Sequence, residues 1–185
     1  GVGYSVGHIN GTATLHSALF AAGVRAGDEV IVPPLTMAAT TMAVLQADAV
    51  PVFADVVEET LQIDPKSIEK LITPRTKAII TVALYGLSPD MDPIMELAKK
   101  HNIAVIEDNA QCFLGEYKGK IAGTIGHYSS FSFQSSKHLT AGEGGMLCTN
   151  DVEAADRVRR FSVLGYASVS AKAGKISKDD IQNPN

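Results

Sequence analysis

Ala78-Ile79-Ile80-Thr81-Val82-Ala83-Leu84 is apolar at every position but one. A strand with one face in water alternates apolar and polar residues. An unbroken run of this kind suits a strand covered on both faces, as in a parallel sheet packed between helices. Shorter runs of the same character are spaced along the chain. Glu29–Val32, Pro51–Asp55, Lys77–Leu84, Ile103–Glu107, Ser129–Phe133 and Gly145–Thr149 read as strands. Thr12–Ala22, Ala38–Gln46, Pro65–Leu71, Pro93–His101 and Val152–Phe161 read as the helices between them. Asn10 is a candidate N-cap, and Asp64-Pro65 and Asp92-Pro93 each pair a cap with a proline at the first helical position. Strand and helix in alternation predict an α/β fold with a mostly parallel sheet.

Composition agrees with a globular domain. The chain has 185 residues, 45% of them hydrophobic and 19% charged, with a formal net charge of −4. So much apolar surface can offset the entropy of ordering the backbone, which argues against disorder. The apolar stretches Ala18–Val24 and Ala78–Leu87 fall well short of the ~20 residues of a membrane span. No basic segment followed by an apolar one opens the sequence, and Gly1 in place of Met suggests a trimmed start. Sixteen Lys and Arg against twenty Asp and Glu argue against nucleic acid or an anionic membrane as partner. Cys112 and Cys148 are too few for a disulfide scaffold and lack metal-ligand spacing, so no metal site is expected. The expectation is a cytoplasmic domain that handles a small molecule. The helical pattern fades after Phe161, and residues 166–185, small and polar with Lys172, Lys175 and Lys178, read as a surface excursion or a frayed end.

Ligands of parallel α/β sheets collect where strands end and helices begin. Four such places carry chemistry. Asn10-Gly11-Thr12-Ala13 opens a helix, with a glycine for close approach, a hydroxyl and unpaired first-turn N–H groups that suit a phosphate. On local sequence alone it also reads as an ordinary capped helix, the commoner case. Glu107-Asp108-Asn109-Ala110-Gln111 follows an apolar strand, and an acid there suits a cation or a protonated ring nitrogen, or simply caps a turn. Ser132-Phe133-Gln134-Ser135-Ser136-Lys137 leads into Gly142-Glu143-Gly144-Gly145. A lysine in such a loop can form a Schiff base, although most lysines are solvated. Pro33-Pro34-Leu35-Thr36-Met37 turns rigidly into a helix, and Met37 can cover a ring face or pack a core. Gly1-Val2-Gly3-Tyr4-Ser5-Val6-Gly7 has the wrong spacing for a dinucleotide fingerprint and no strand before it. A phosphate-type helix start, an acid after a buried strand and a lysine in a Ser- and Gly-rich loop are together what pyridoxal 5′-phosphate (PLP) requires.

The ordered set Gly11-Thr12-Ala13-Thr14-Leu15, Val30-Ile31-Val32-Pro33, Pro51-Val52-Phe53-Ala54-Asp55, Ile72–Ile80, Ile106–Gln111, Phe131-Ser132-Phe133, Lys137 and Gly142–Gly145 resembles the DegT/DnrJ/EryC1/StrS family of sugar aminotransferases. The resemblance implies a three-layer α/β/α sandwich, the large PLP-binding domain of a fold-type-I aminotransferase, over residues 1–165. It implies that the pattern begins upstream of Gly1 and continues past Asn185 into a smaller domain. It assigns Lys137 as the Schiff-base lysine and proton shuttle, Asp108 as partner of the pyridinium nitrogen and Gln111 as partner of the 3-hydroxyl oxygen. Thr12, Ala13 and Ser132 would hold the phosphate. Met37 stands where the family usually stacks an aromatic ring on the cofactor. The implied reaction moves an amino group from glutamate or glutamine, through PLP and its amine form PMP, to a keto sugar, nucleotide-linked, for a polysaccharide or secondary metabolite. A homodimer with shared active sites is implied. Some members are PMP-dependent sugar dehydratases with histidine in place of the lysine; Lys137, beside His138, favours transamination. A non-catalytic PLP-binding sensor is the remaining alternative.

Overall fold

The computed structural model describes residues 2–163 and 165; the stretch 166–185 therefore lies outside the described residues. In chain order the elements are β1 (Tyr4–His8), α1 (Gly11–Ala21), β2 (Glu29–Val32), α2 (Ala38–Gln46), β3 (Val50–Phe53), α3 (Pro65–Leu71), β4 (Thr76–Val82), α4 (Met91–His101), β5 (Ala104–Asp108), β6 (Glu116–Tyr117), β7 (Lys120–Ile121), β8 (Tyr128–Ser132), β9 (Gly145–Thr149) and α5 (Val152–Ser162). Seven strands form one sheet in the order β1-β9-β8-β5-β4-β2-β3. The pairs from β3 through β8 are parallel, and β9 runs antiparallel to both β8 and β1.

The period of two along the strands sorts side chains into two separate cores. Val30, Val32, Ala78, Ile80, Ile106 and Leu147 pack against Leu15 and Leu19 of α1, Val44 of α2 and Val158 of α5. Their neighbours Ile31, Ile79 and Val105 face the other way, onto Ile68 of α3 and Met91 and Ile94 of α4. Helices on both faces of a mostly parallel sheet make the expected α/β/α sandwich. Each fully buried Ile, Leu or Val contributes roughly 1.5–3 kcal/mol, so the long apolar strands hold the layers together. No helix among the described residues is long and apolar enough to cross a membrane.

Three of the five described helix starts carry a side-chain cap, and those of α2, at Met37, and α4 do not. The Asn10 side chain accepts from the Ala13 N–H, Asp64 from Lys66, and Asp151 from Glu153 and Ala154. The α4 start is not at Asp92-Pro93 but two residues earlier, after Asp90. Asp90 makes no side-chain cap; its carboxylate receives the Tyr117 hydroxyl instead. Proline is tolerated inside the first turn, where its missing N–H costs nothing.

Three elements were not anticipated from the sequence. The Gly1–Gly7 stretch contains strand β1, whose residues alternate between half-buried and exposed, Val6 packing on the core. Gly7 within it and Gly3 just before it hide that alternation. The β6–β7 hairpin turns through Lys118 (φ 49°) and Gly119 (φ 76°), two left-handed residues of the kind that suit a tight hairpin. Finally, β4 stops at Val82, and Leu84–Gly86 is a 3₁₀ turn with Tyr85 left-handed at φ 54°.

Candidate active site

The carboxyl ends of β4, β5 and β8, together with the starts of α1 and α2, enclose a cavity of about 800 Å³. Thr12, Met37, Asp108, Gln111, Ser132 and Lys137 all line it. Ala13 does not. It lines a different cavity with His8 and His16, and its N–H is taken by Asn10 Oδ1 at 2.9 Å.

The start of α1 is held unusually close to the sheet. The Thr14 hydroxyl bridges the Gly11 carbonyl and the Ser130 hydroxyl. A Cβ on Gly11 would stand 2.8 Å from Ser132 Cβ, and one on Gly145 would stand 2.5 Å from the Asn10 carbonyl oxygen. Both glycines are there because backbone and side chain approach where a methyl group cannot fit. The Ser132 hydroxyl thus comes up against the first turn of α1. The Gly11 and Thr12 N–H groups, first in the helix, have no intrahelical acceptors. Hydroxyls and free N–H groups at the positive end of a helix form a cradle for an anion. Gly145→Ala, which lies outside the cavity lining, is expected to cost about 1–3 kcal/mol through overpacking. Urea denaturation would read that loss, and amide shifts confined to residues 10–14 would locate it.

Strand alternation separates the two acids at the end of β5. Glu107 accepts from the N–H groups of Gly123 (2.7 Å), Ile125 (2.8 Å) and Gly126 (2.5 Å), and so anchors the loop that leads into β8. Asp108 faces the cavity yet is only 6% exposed. Its Oδ1 accepts from the Ala110 N–H at 3.1 Å and its Oδ2 from the Thr40 hydroxyl at 3.3 Å. Burial pushes the Asp108 carboxyl upward, while those two donors and the charge of Lys137 pull against it. A carboxylate so placed is short of a cationic hydrogen-bond partner, since no salt bridge to it exists among the described residues.

Gln111 is oriented by the turn after β4. The Tyr85 N–H donates to Gln111 Oε1 at 3.0 Å, so the other end of the amide, the Nε2 donor, remains available. The left-handed Tyr85 that makes this bond is a conformation costing of order 1–3 kcal/mol for a residue other than glycine.

Lys137 sits half-buried in the loop between β8 and β9. That loop is pinned at its base by Phe133 N–H to the Gly144 carbonyl (2.8 Å) and Ala141 N–H to the Phe133 carbonyl (2.9 Å). Its tip is pinned where Gln134 Oε1 accepts from both the N–H and the hydroxyl of Ser136. The Lys137 ammonium makes no salt bridge among the described residues. Met37, at the N-cap of α2, is 62% exposed on the rim.

The sequence reading passed over Thr36, Thr40 and Tyr85. Thr40-Thr41 in a helix was a usable signal, because threonine is a weak helix former there. Among the described residues no three His, Cys, Asp or Glu side chains stand close enough to share a metal ion.

Residues 1–179 match the family model described as the DegT/DnrJ/EryC1/StrS aminotransferase family. The chain is 49% identical over 166 residues to GDP-perosamine synthase of Escherichia coli O157:H7, covering 90% of this chain and 46% of that protein. It is 44% identical over 174 residues to L-glutamine:2-deoxy-scyllo-inosose aminotransferase of Streptomyces lividus, covering 94% and 41%. Among solved structures, an aminotransferase from Psychrobacter cryohalolentis superposes with a TM-score of 0.89 at 43% identity, over 95% of this chain and 45% of that one. NtdA of Bacillus subtilis, solved with bound PMP, gives 0.85 at 34% identity, over 95% and 40%. The chain therefore spans less than half the length of these relatives.

Proposed function

The chain belongs to the DegT/DnrJ/EryC1/StrS aminotransferase family, and from that premise we propose that the protein carrying it is a PLP-dependent aminotransferase that aminates a keto sugar. The observation that carries the reading is the convergence of Lys137, Asp108, Gln111, Thr12 and Ser132 on one cavity. The donor set fits the cofactor at each of its polar groups. A buried carboxylate without a cation suits a protonated ring nitrogen, a free amide N–H suits the ring oxygen, and the cradle at α1 suits the phosphate. The relative solved with PMP supports the same group.

When bound, the cofactor supplies an aldehyde that carries the amino group and a ring that accepts the electron pair left when a proton leaves carbon. The protein's residues do the rest. Asp108 would hold the ring nitrogen protonated, and Gln111 Nε2 would donate to the ring oxygen. Thr12, Ser132 and the helix-start N–H groups would bind the phosphate and fix the ring's place. Met37 would cover a ring face by dispersion. Lys137 would hold the aldehyde carbon through Nζ, then carry a proton between carbon centres once displaced by an amine.

The donor is glutamate or glutamine and the acceptor a nucleotide-linked keto sugar, in keeping with what the relatives are named for. The protein acts as a homodimer with shared sites: Met37 and Tyr85, both more than 60% exposed on the cavity wall, offer a partner subunit apolar surface there. A cytoplasmic location suits two buried, unpaired cysteines. Purified protein loaded with PLP and given glutamine or glutamate without a sugar is expected to release one equivalent of oxo acid per site and retain PMP. Failure to retain PLP, or PLP binding with no oxo acid from any amino acid, would overturn the assignment.

A further inference from the structure

The donors that reach Asp108 bind its charged form more strongly than its neutral one. The Thr40 hydroxyl is one of two that reach it, and Thr40 itself is fully buried. A hydroxyl has one proton. Because Thr40 commits its proton to Asp108 Oδ2, the 3.0 Å contact between the Thr36 and Thr40 hydroxyls must run from Thr36 to Thr40. Thr36 lines the cavity at the end of the Pro33-Pro34 turn, and Thr40 sits one turn into α2. The result is a directed relay, Thr36 to Thr40 to Asp108, in which each hydrogen bond polarises the next.

We infer that Thr40 is a positioning residue for Asp108: its hydroxyl, oriented by Thr36, fixes Oδ2 and favours the charged carboxylate at a buried position. The surroundings leave few other groups for that task. α2 carries no ionisable residue, and α1 carries only His16, which lines another cavity. On β4 the residue paired with Asp108 is Val82, and Lys77 stands at the far end of the strand; on β8 the pair is Ser130, with Tyr128 at the far end. The loop after β8 contributes Lys137, and with it His138 and Glu143 on the cavity wall. Lys137 would be consumed by a carbonyl ligand, which makes its ammonium an unreliable counter-charge. The Ala110 N–H and the Thr40 hydroxyl do not change during a reaction. A hydrogen bond to a charged group is stronger than one between neutral groups, so losing the Thr40 donor moves the balance toward the protonated carboxyl.

The catalytic consequence rests on the cofactor reading above; the relay itself does not, and the test separates them. Carbon-13 NMR of the Asp108 carboxyl in cofactor-free protein gives its titration midpoint directly. Thr40→Val keeps the shape and removes the hydroxyl, and is expected to raise that midpoint by about one pH unit. Thr40→Ser is expected to restore it, and Thr36→Val to raise it by less. In protein loaded with PLP, Thr40→Val is expected to weaken cofactor binding about tenfold. It is also expected to lower the pH at which a nitrogen-15-labelled ring loses its proton. An unmoved midpoint in Thr40→Val, or equal shifts in the Val and Ser variants, would overturn the relay. If native protein binds no PLP, the cofactor reading fails while the Asp108 titration still decides the role of Thr40.

Discussion

Borohydride treatment of the PLP-loaded protein is expected to leave the pyridoxyl group on Lys137 and on no other lysine, and Lys137→Ala is expected to lower turnover by at least about 10⁴-fold. The size of the effect follows from two duties falling on one side chain. Among the described residues Lys137 is the only lysine that lines the cavity, so both the covalent link and the proton transfer fall to it. General acid–base catalysis alone accounts for about 10²–10⁴, and nucleophilic exchange at the aldehyde adds to it. The fold should survive, because Lys137 lies in an irregular loop pinned by backbone bonds and by Gln134, none of which needs the lysine side chain. Unchanged circular dichroism with lost activity is the expected pair of readings. Peptide mapping that places the label elsewhere, or an alanine variant that keeps a tenth of its activity, would contradict the assignment.

Asp108→Asn should separate activity from stability in opposite directions. The neutral amide cannot hold a protonated ring nitrogen, and a lost electrostatic partner of this kind costs about 10³-fold in turnover. Cofactor-free protein should nevertheless become more stable at neutral pH. The Asp108 carboxyl is pushed above its ordinary range by burial, so the folded state holds its proton to higher pH than the unfolded chain does. Between the unfolded value, about 3.9, and the raised folded one, stability falls as pH rises; above the folded value the loss is complete. Asparagine carries no such penalty. Thermal melts of the cofactor-free proteins should show the variant above wild type at pH 7 and the two converging below about pH 4. Equal melting at pH 7 would mean that the buried charge costs nothing.

Much of this site could be read from the chain, for reasons that differ by residue. The sheet was legible because Ala78–Leu84 and its neighbours have no polar face to offer water. Asp108 and Lys137 were findable because an acid after an apolar strand and a lysine before clustered glycines are conspicuous. Glu107 and Asp108 look alike in sequence; only the side-to-side alternation of β5 turns one onto the loop before β8 and the other toward the cavity. Thr40 was invisible because its partner is 68 residues away and its role depends on how α2 lies over β5. The α4 start was misplaced because a cap is a competition: the Tyr117 hydroxyl, from a hairpin that Lys118-Gly119 only weakly signals, reaches the Asp90 carboxylate. Strand β1 was hidden for a simpler reason, a glycine at position 7 in an amphipathic run of five residues.

Ser132 and Gly145 face each other in register across β8 and β9. Ser132 belongs to the anion cradle, Gly145 makes room for the backbone that builds it, and the segment running from one to the other bears Lys137. The lysine is therefore tethered at both feet to the place where a phosphate would sit. It works as a caliper, with a span set inside a single hairpin and independent of how the parallel strands are stacked. Asp108 and Gln111 are mounted separately, on β5 and the turn beyond it. A molecule bound in the cavity would thus close a gauge between two halves mounted on neighbouring strands, one gripping the phosphate and aldehyde ends, the other reading the ring nitrogen and oxygen. Length is checked by the first half and ring chemistry by the second.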